Sequence, residues 1–257
     1  MEFNKNAMLQ KYKVLRSTYI EPYEPDISQE GCLVRYAKIP DPCLSSDLCS
    51  HRILQHFDAK KALCPRFYKK LPRGANEASY VTAYFNEDGS MHHFEFRMDE
   101  KRRYITIRIS DQLLVDYHAE YFPGRKPFLT FSSMEWTEFD ADGRPVSVES
   151  FGGNGCLTGG VIISGEYYQY ENSRMIHADL FKDFDSAGKI EAPFLRQMIP
   201  DRITNPDVFA YDFERTKGGI LCTKTNYWSK SKTYKGSFLM PEKELKKIEE
   251  YGIPYFL

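Results

Sequence analysis

The chain has 257 residues, of which 42% are hydrophobic and 28% charged, and its formal net charge is −1. This composition is typical of a folded globular protein and excludes an intrinsically disordered chain. The balanced charge argues against generic binding to nucleic acid or to an anionic membrane, which requires a basic surplus. Tyr and Phe number 18 each, and this enrichment favours β-strands, where aromatic side chains pack on a pleated surface.

The first quarter of the chain predicts helices and irregular structure. Apolar residues recur at helical spacing within residues 4–16 and again within residues 46–62, and each run predicts a short amphipathic helix. Residues 31–39 predict a strand that ends before Pro40. We expect residues 1–75 to form a helical and irregular segment that packs on the body of the protein.

From residue 80 onward, apolar and polar side chains alternate, which is the pattern of strands that bury one face. The clearest runs predict strands at residues 80–85, 91–97, 103–109, 113–122, 128–139, 144–151, 167–170 and 175–180. Residues 152–165 are dense in glycine, and the glycines at 152–155 and 159–160 predict a flexible or bulged loop. A phosphate-binding loop would lead into a helix, whereas the residues that follow these glycines favour a strand.

The predicted fold class is mainly β, of the α+β type, with short helices in the N-terminal quarter and at the C-terminus. Residues 76–240 are expected to form an antiparallel meander of repeated hairpins, either an open curved sheet or a barrel. A helix and an apolar tail follow at residues 241–257, because Pro241 suits a first helical turn and Gly252 a C-terminal cap. Together these segments are expected to form one structural domain.

Three similar stretches, residues 84–89, 138–143 and 183–188, mark the predicted turns. Each combines an aromatic residue, an acidic or amide residue, and a glycine. Glycine accepts a positive φ without steric cost, so such clusters close tight antiparallel turns. The second and third stretches fit a common spacing of turns along the chain, whereas the first does not.

The sequence predicts no metal site and no cofactor. The stretch that begins at Asp140 resembles the start of a calcium loop, but the position of the bidentate Glu is occupied by Phe151. The six histidines and six cysteines match no zinc spacing, and the cysteines are expected to be free thiols. No nucleophile elbow, HExxH motif or phosphate loop is present.

Catalytic residues are left unassigned, and a non-catalytic protein is favoured over an enzyme. Two pairs have the residue types for acid–base chemistry if the sheet closes around them. They are His118 beside Asp116, and Glu166 beside Tyr167.

The turn pattern is also carried by longer stretches. Residues 139–146 and 184–190 share it, and residues 168–176 hold a looser copy. The pattern resembles the YD-type and MORN-variant β-hairpin repeats, over about a third of the chain. Such repeats occur in toxin-shell proteins and in small bacterial antitoxin or immunity-like proteins, so the resemblance implies a sheet that binds another protein.

The leading hypothesis is therefore a non-catalytic bacterial protein whose sheet binds a protein partner, as an immunity or antitoxin-like factor does. Exposed aromatic side chains are favoured interface anchors. The candidate binding residues are Tyr167, Tyr168, Tyr170, Tyr227, Trp228 and Tyr234.

Two alternatives remain open. The first is a β-barrel-like protein that binds or acts on a small apolar ligand. The second is binding of single-stranded nucleic acid by Tyr227, Trp228 and Tyr234 with the neighbouring lysines. No membrane association is expected, and because the sequence contains neither a secretory leader nor a long apolar run, the expected location is the cytoplasm.

Overall fold

The computed structural model describes residues 3–22, 24–38, 50–63, 66–76, 79–153, 161–185, 207–227 and 234–250. Within these ranges the helices are α1 (Lys5–Leu15), continued by a π-helical turn (Arg16–Ile20), α2 (Leu54–Asp58) and α3 (Glu242–Glu250). The strands are β1 (Leu33–Lys38), β2 (Phe67–Tyr68), β3 (Tyr80–Phe85), β4 (Met91–Arg97), β5 (Arg102–Arg108), β6 (Leu113–Glu120), β7 (Phe128–Phe139), β8 (Pro145–Gly153), β9 (Val161–Glu171), β10 (Arg174–Asp185), β11 (Asp207–Thr216), β12 (Gly219–Asn226) and β13 (Tyr234–Pro241).

The strands form one 13-stranded sheet in the order β13-β12-β11-β10-β9-β8-β7-β6-β5-β4-β3-β1-β2. Successive strands are therefore neighbours from β3 to β13, and β1 pairs antiparallel with both β3 and β2. The prediction of a mainly β, antiparallel meander with short helices is confirmed. Of the two forms expected from the sequence, the open one is observed, because β13 and β2 end the sheet.

The described residues group into two compact units. Unit 1 comprises Met1–Leu9, His51–Cys64 and Trp136–Leu257, and unit 2 comprises Gln10–Ser50 and Pro65–Glu135. Each unit buries an apolar cluster of its own.

Local sequence signals located most strands closely. β3, β4 and β7 begin and end at the predicted residues, whereas β9 and β10 are longer than predicted. β9 and β10 pair with each other from Val161 opposite Asp185 to Glu171 opposite Arg174, so both strands extend beyond the aromatic runs that predicted them. The predicted turn at residues 186–188 lies outside the described residues. β10 next pairs with β11, which begins at Asp207.

The second predicted helix is much shorter than residues 46–62. Only Leu54–Asp58 are helical, and residues 39–49 lie outside the described ranges. The N-terminus of α2 has no cap from its own side chains. Glu166 on β9 supplies the cap instead, because its Oε2 accepts hydrogen bonds from the backbone N–H groups of Ile53 (3.1 Å) and Leu54 (3.0 Å).

The hairpin turns use the chemistry that the sequence predicted. Gly89 and Gly143 have φ angles of 84° and 76°. At the second turn, Asp140 Oδ1 accepts hydrogen bonds from the N–H groups of Asp142 and Arg144, both at 2.9 Å, and its Oδ2 accepts one from Arg144 Nε at 2.8 Å. These bonds, the Arg144 side chain first, hold the pKa of Asp140 below its usual value. The acidic residue at this position therefore stabilises the turn.

In unit 1, α2 and α3 pack on one face of the sheet. Leu54 and Phe57 from α2, with Leu245 and Ile248 from α3, are fully buried or nearly so. The sheet contributes alternate residues of β8 to β13, namely Val148, Tyr168, Ala178, Leu180, Tyr211, Phe213, Ile220, Cys222 and Met240. This arrangement follows from the period of two, which directs every second side chain to the same face.

We expect Gly143→Ala to lower the free energy of unfolding by about 1 kcal/mol, because alanine is strained at a φ of 76°. Gly236→Ala is the matched control, since Gly236 has ordinary φ and open space around its Cβ position. Urea titration of both variants provides the measurement. Equal stability of the two variants would contradict the role of backbone conformation at this turn.

A pH effect is expected from His56 of α2. The side chain is 3% exposed, its Nδ1 accepts the N–H of Leu63 at 3.0 Å, and burial lowers its pKa to about 4. The unfolded chain therefore takes up a proton first on acidification, and this histidine removes up to about 3 kcal/mol of stability as the pH falls from 6.5 to 4. Above pH 6.5, protonation of His56 does not change the stability.

The measurement is the unfolding free energy of the wild type and of His56→Asn as a function of pH. Asparagine keeps an acceptor near the position of Nδ1 but does not titrate. We expect the variant to lose less stability over this interval than the wild type. Parallel curves for the two proteins would show that His56 is not responsible.

Candidate functional site

Polar side chains occupy one face of the sheet in unit 2. Tyr36 on β1 lies opposite Thr82 on β3, and Thr82 lies opposite Glu95 on β4. In the next rung, Tyr84 on β3 lies opposite His93 on β4. The other face is apolar and contains Val81, Ala83, Phe94 and Phe96. Strand alternation therefore places tyrosine, threonine, histidine and glutamate side chains together on the opposite side.

A cavity of about 320 Å³ opens on this polar face. Its lining consists of three tyrosines, two other polar residues, one cation and two apolar residues: Tyr36, Tyr80, Tyr84, Gln29, Thr82, Arg97, Val34 and Leu71. We call this cavity the tyrosine pocket. Its volume lies at the lower end of the range of small-molecule sites.

The hydroxyl groups of Tyr36, Tyr80 and Tyr84 make no hydrogen bond to any residue that the structure describes. Tyr84 is only 7% exposed as a residue, whereas Tyr36 and Tyr80 are partly exposed. The three hydroxyls are therefore available to a molecule that enters the pocket.

Glu95 is the centre of a buried polar cluster next to the pocket. Its side chain is 7% exposed, and its Oε1 accepts hydrogen bonds from Tyr121 (3.3 Å) and from Gln29 Nε2 (3.4 Å). Arg103 Nε lies 3.6 Å from Oε2, and His93 Nε2 lies 3.7 Å from Oε1. We call these five residues the Glu95 cluster. A buried carboxylate requires such compensation, and Gln29 joins the cluster to the pocket wall.

Two tyrosines beside Glu95 remain protonated at neutral pH. Burial raises the pKa of Tyr121 to about 12, and the charge of Glu95 adds to this increase. Burial also raises the pKa of Tyr84, with Glu95 again as the second cause. The ring of Tyr84 stacks on His93 with 4.3 Å between ring centroids and 13° between planes. Tyr84 therefore presents an O–H donor in a fixed orientation.

Two other clefts are less suited to binding one kind of ligand. The larger, about 510 Å³ in unit 1, is lined by Glu171 and Glu214 together with Arg174 and Arg215. These opposite charges favour no single ligand chemistry, and Arg215 is already bonded to Glu242 (3.0 Å). The other, about 400 Å³, surrounds the turn at Asp99 and Arg102, which bind each other at 2.6 Å.

The three tyrosines of β9 that the sequence suggested for binding make hydrogen bonds inside unit 1. Tyr168, 5% exposed, donates to Glu166 at 2.5 Å. Tyr167 donates to Glu149 at 2.8 Å, and Tyr170 donates to the carbonyl of Pro145 at 2.8 Å. Tyr167 and Tyr168 lie on opposite faces because they are successive residues of a strand. A binding role for these residues stays a prediction.

Of the other predicted binding residues, Tyr227, Trp228 and Tyr234, only Tyr227 is fully described. Its side chain is 54% exposed, and its backbone N–H binds the carbonyl of Val208 at 2.9 Å. Tyr234 begins β13, but its side chain and the whole of Trp228 lie outside the described residues. Among the nearby lysines, Lys224 is bound to Asp58 at 2.7 Å.

No hydrogen bond joins the members of either suggested acid–base pair among the described contacts, and a role for these residues in acid–base chemistry stays a prediction. Asp116 accepts hydrogen bonds from Thr106 (2.6 Å) and Ser133 (2.5 Å). His118 instead packs on a tyrosine ring, and burial lowers its pKa. Glu166 caps α2 and lies on the face opposite to Tyr167. These carboxylates therefore stabilise the fold.

Within the described ranges, no group of three or more His, Cys, Asp or Glu side chains is arranged to hold a metal ion. Cys32 and Cys222 are free thiols, and the other four cysteines lie outside those ranges. In the same part of the chain, no helix combines the length and apolar character needed to cross a membrane.

Sequence patterns did not identify the tyrosine pocket. β1 lies between β3 and β2, although residues 39–79 separate β1 from β3 in the chain. The alternation of apolar and polar residues around Glu95 predicted a strand with one polar face. It did not indicate that the polar face is buried. The one local signal was the abundance of tyrosine in β1 and β3, which equally suits ordinary strand packing.

Comparisons with protein-family models, with curated protein sequences and with solved structures find no match to this chain. The resemblance to YD-type and MORN-variant repeats therefore stays a prediction. The geometry of the tyrosine pocket is the basis for assigning a function.

Proposed function

We propose that the chain binds a small molecule and that the tyrosine pocket is the binding site. The observation that carries this proposal is that three tyrosines line one cavity and that their hydroxyls have no partner among the described residues. A hydroxyl without a partner in the protein can donate to a ligand and accept from it, so three of them around one cavity favour a ligand-binding site.

Binding is favoured over catalysis by the chemistry of the lining. Among the described residues that line the pocket there is no carboxylate, histidine or thiol, so this part of the wall lacks the usual acid–base groups. Glu95 lies close by, but its carboxylate already accepts hydrogen bonds from Gln29 and Tyr121 and lies within 3.7 Å of Arg103 and His93. The pKa of the Tyr84 hydroxyl is raised, so this group stays protonated at neutral pH and does not provide a base. These groups can orient a ligand and recognise its acceptors.

The site is also rigid, which favours affinity. Tyr36, Thr82 and Tyr84 lie on paired strands, and Tyr84 is further held by stacking on His93. Gln29 is held by Glu95. A ligand therefore meets side chains that are already in place, and less conformational entropy is lost when it binds.

Binding of a protein partner by the sheet is the second candidate function. Unit 1 supports it with large apolar side chains that are exposed on strands or beside them, namely Ile162 (46%), Leu239 (47%) and Tyr227 (54%). The proposed ligand differs from the apolar molecule expected from the sequence, because the lining is mainly polar. Binding of single-stranded nucleic acid stays a prediction.

We expect Tyr84→Phe to change the free energy of unfolding by less than about 0.5 kcal/mol, because no described hydrogen bond is lost. Tyr121→Phe is the matched control in the same unit. It removes a donor from buried Glu95 and should cost about 1 kcal/mol. Urea titration measures the free energy of unfolding of both variants. A larger loss for Tyr84→Phe would mean that this hydroxyl serves the fold.

Ligand binding itself is tested by ¹⁹F NMR of protein labelled with 3-fluorotyrosine, against a library of small aromatic acids, alcohols and amines. At least one compound should shift the signals of Tyr36, Tyr80 and Tyr84 together. The signal of Tyr170, whose hydroxyl is bound to Pro145, should stay unchanged. Substitution of each tyrosine by phenylalanine assigns the signals.

Thr82→Phe narrows the pocket at its centre and should abolish these shifts while leaving the melting temperature within a few degrees. Shifts that persist in this variant, or that appear only at tyrosines outside the pocket, would contradict the proposed site. The proposed site would also be contradicted if no compound in the library shifted the signals of the three tyrosines.

A further inference from the structure

The tyrosine pocket is lined mainly by neutral groups that both donate and accept hydrogen bonds. A tyrosine or threonine hydroxyl has one O–H donor and two lone pairs. Among the described lining residues, the hydroxyls belong to Tyr36, Tyr80, Thr82 and Tyr84. A ligand group that also donates and accepts can pair with any of them, whereas a group that only donates or only accepts uses part of this capacity.

Gln29 adds an acceptor to the same wall. Its amide Nε2 donates to Glu95 Oε1 at 3.4 Å, so this donor is already in use. The amide oxygen, Oε1, has no hydrogen bond to any residue that the structure describes. It can therefore accept a hydrogen bond from a ligand, and a ligand without a donor cannot use it.

The described lining offers no partner to a charged ligand. It contains no carboxylate that could bind an ammonium group. Arg97 also lines the pocket, but its Nε donates to the carbonyl of Asp99 at 3.3 Å and the side chain is engaged within the protein, so we assign it no contact with the ligand. Taking a charge out of water without a partner costs much more free energy than taking out a neutral hydroxyl.

The electrostatics at Tyr84 also disfavour an anion. Burial raises the pKa of this tyrosine, and the negative charge of Glu95 is the second cause, whereas Arg103 has a smaller effect in the opposite direction. The negative charge that keeps the proton on Tyr84 also opposes a second negative charge beside its hydroxyl. A neutral ligand avoids this repulsion.

The rest of the lining suits a flat apolar body. The three tyrosines contribute aromatic rings, which prefer offset or edge-to-face contact with a second ring. Val34 and Leu71 contribute apolar surface. The volume of about 320 Å³ limits the ligand to a small molecule.

We infer that the ligand is a small neutral aromatic alcohol, with its ring among the three tyrosines and its hydroxyl bonded to Gln29 and to a tyrosine. The ligand hydroxyl donates to Gln29 Oε1 and accepts from the O–H group of the tyrosine. This inference rests on the proposed function of the tyrosine pocket and specifies its ligand class. Gln29 acts here as the residue that determines specificity.

The experiment compares probes that share a phenyl ring on a two-carbon unit and differ in the polar group: 2-phenylethanol, its methyl ether, phenylacetate and 2-phenylethylammonium. Binding to the full chain is measured by calorimetry at neutral pH, and the ¹⁹F signals of labelled tyrosines report the location. 2-Phenylethanol should bind about tenfold more tightly than each of the other probes, because it alone is neutral and both donates and accepts.

Gln29→Met removes the amide oxygen and keeps the length of the side chain. It should lower the affinity for 2-phenylethanol to that for the methyl ether, and leave the affinity for the ether unchanged within about twofold. Gln112→Met is the matched control, because Gln112 is an exposed glutamine of the same unit that does not line the pocket. It should leave both affinities unchanged. A far-ultraviolet circular dichroism spectrum of each variant verifies that the sheet is retained.

The outcomes separate the two proposals. If the ether, the acid or the ammonium probe shifts the pocket tyrosines and binds the wild type at least as tightly as 2-phenylethanol, the ligand class is wrong while the pocket remains a binding site. If a folded Gln29→Met variant keeps the preference for the alcohol over the ether, Gln29 does not determine specificity and the inference is likewise overturned. If no probe and no library compound shifts Tyr36, Tyr80 or Tyr84, both proposals fail.

Discussion

Antiparallel pairing between β1 and β3 is the interaction on which the tyrosine pocket depends. This pairing brings Tyr36 opposite Thr82 and Val34 opposite Tyr84, so residues distant in the chain share one wall. Because the side-chain period of a strand is two, a slip of one residue would turn Tyr36 to the other face and bring Ala37 in its place. Burial opposes such a slip, since Ala37 is fully buried opposite Val81 and would have to leave that face.

Most of the strands could be predicted from local sequence, because alternation and turn chemistry are local properties. The φ of Gly143 and the hydrogen bonds of Asp140 follow from residues that lie within one turn. The candidate site could not be predicted in this way. Burial of Glu95 depends on Gln29 and Tyr121, which come from other parts of unit 2, and strand alternation alone predicts polar residues on an exposed face.

Tyrosine occurs in two settings in this protein, which differ in whether its hydroxyl has a hydrogen-bond partner. In unit 1, Tyr168 and Tyr211 donate to Glu166 and Asp58, so the phenol completes a structural network around the helices. In unit 2, the hydroxyls around the pocket lack such partners among the described residues. The high tyrosine content therefore has no single explanation, and the residue type alone could not separate structural from ligand-facing positions. Hydrogen-bond accounting makes that distinction.

The capping of α2 by Glu166 also has a consequence for the order of folding. α2 has five residues, and a helix of that length does not form by itself in water. Its first N–H groups are satisfied by a carboxylate on β9, more than a hundred residues later in the chain. During folding the helix therefore depends on a contact between distant parts of the chain, and closing so long a loop costs conformational entropy.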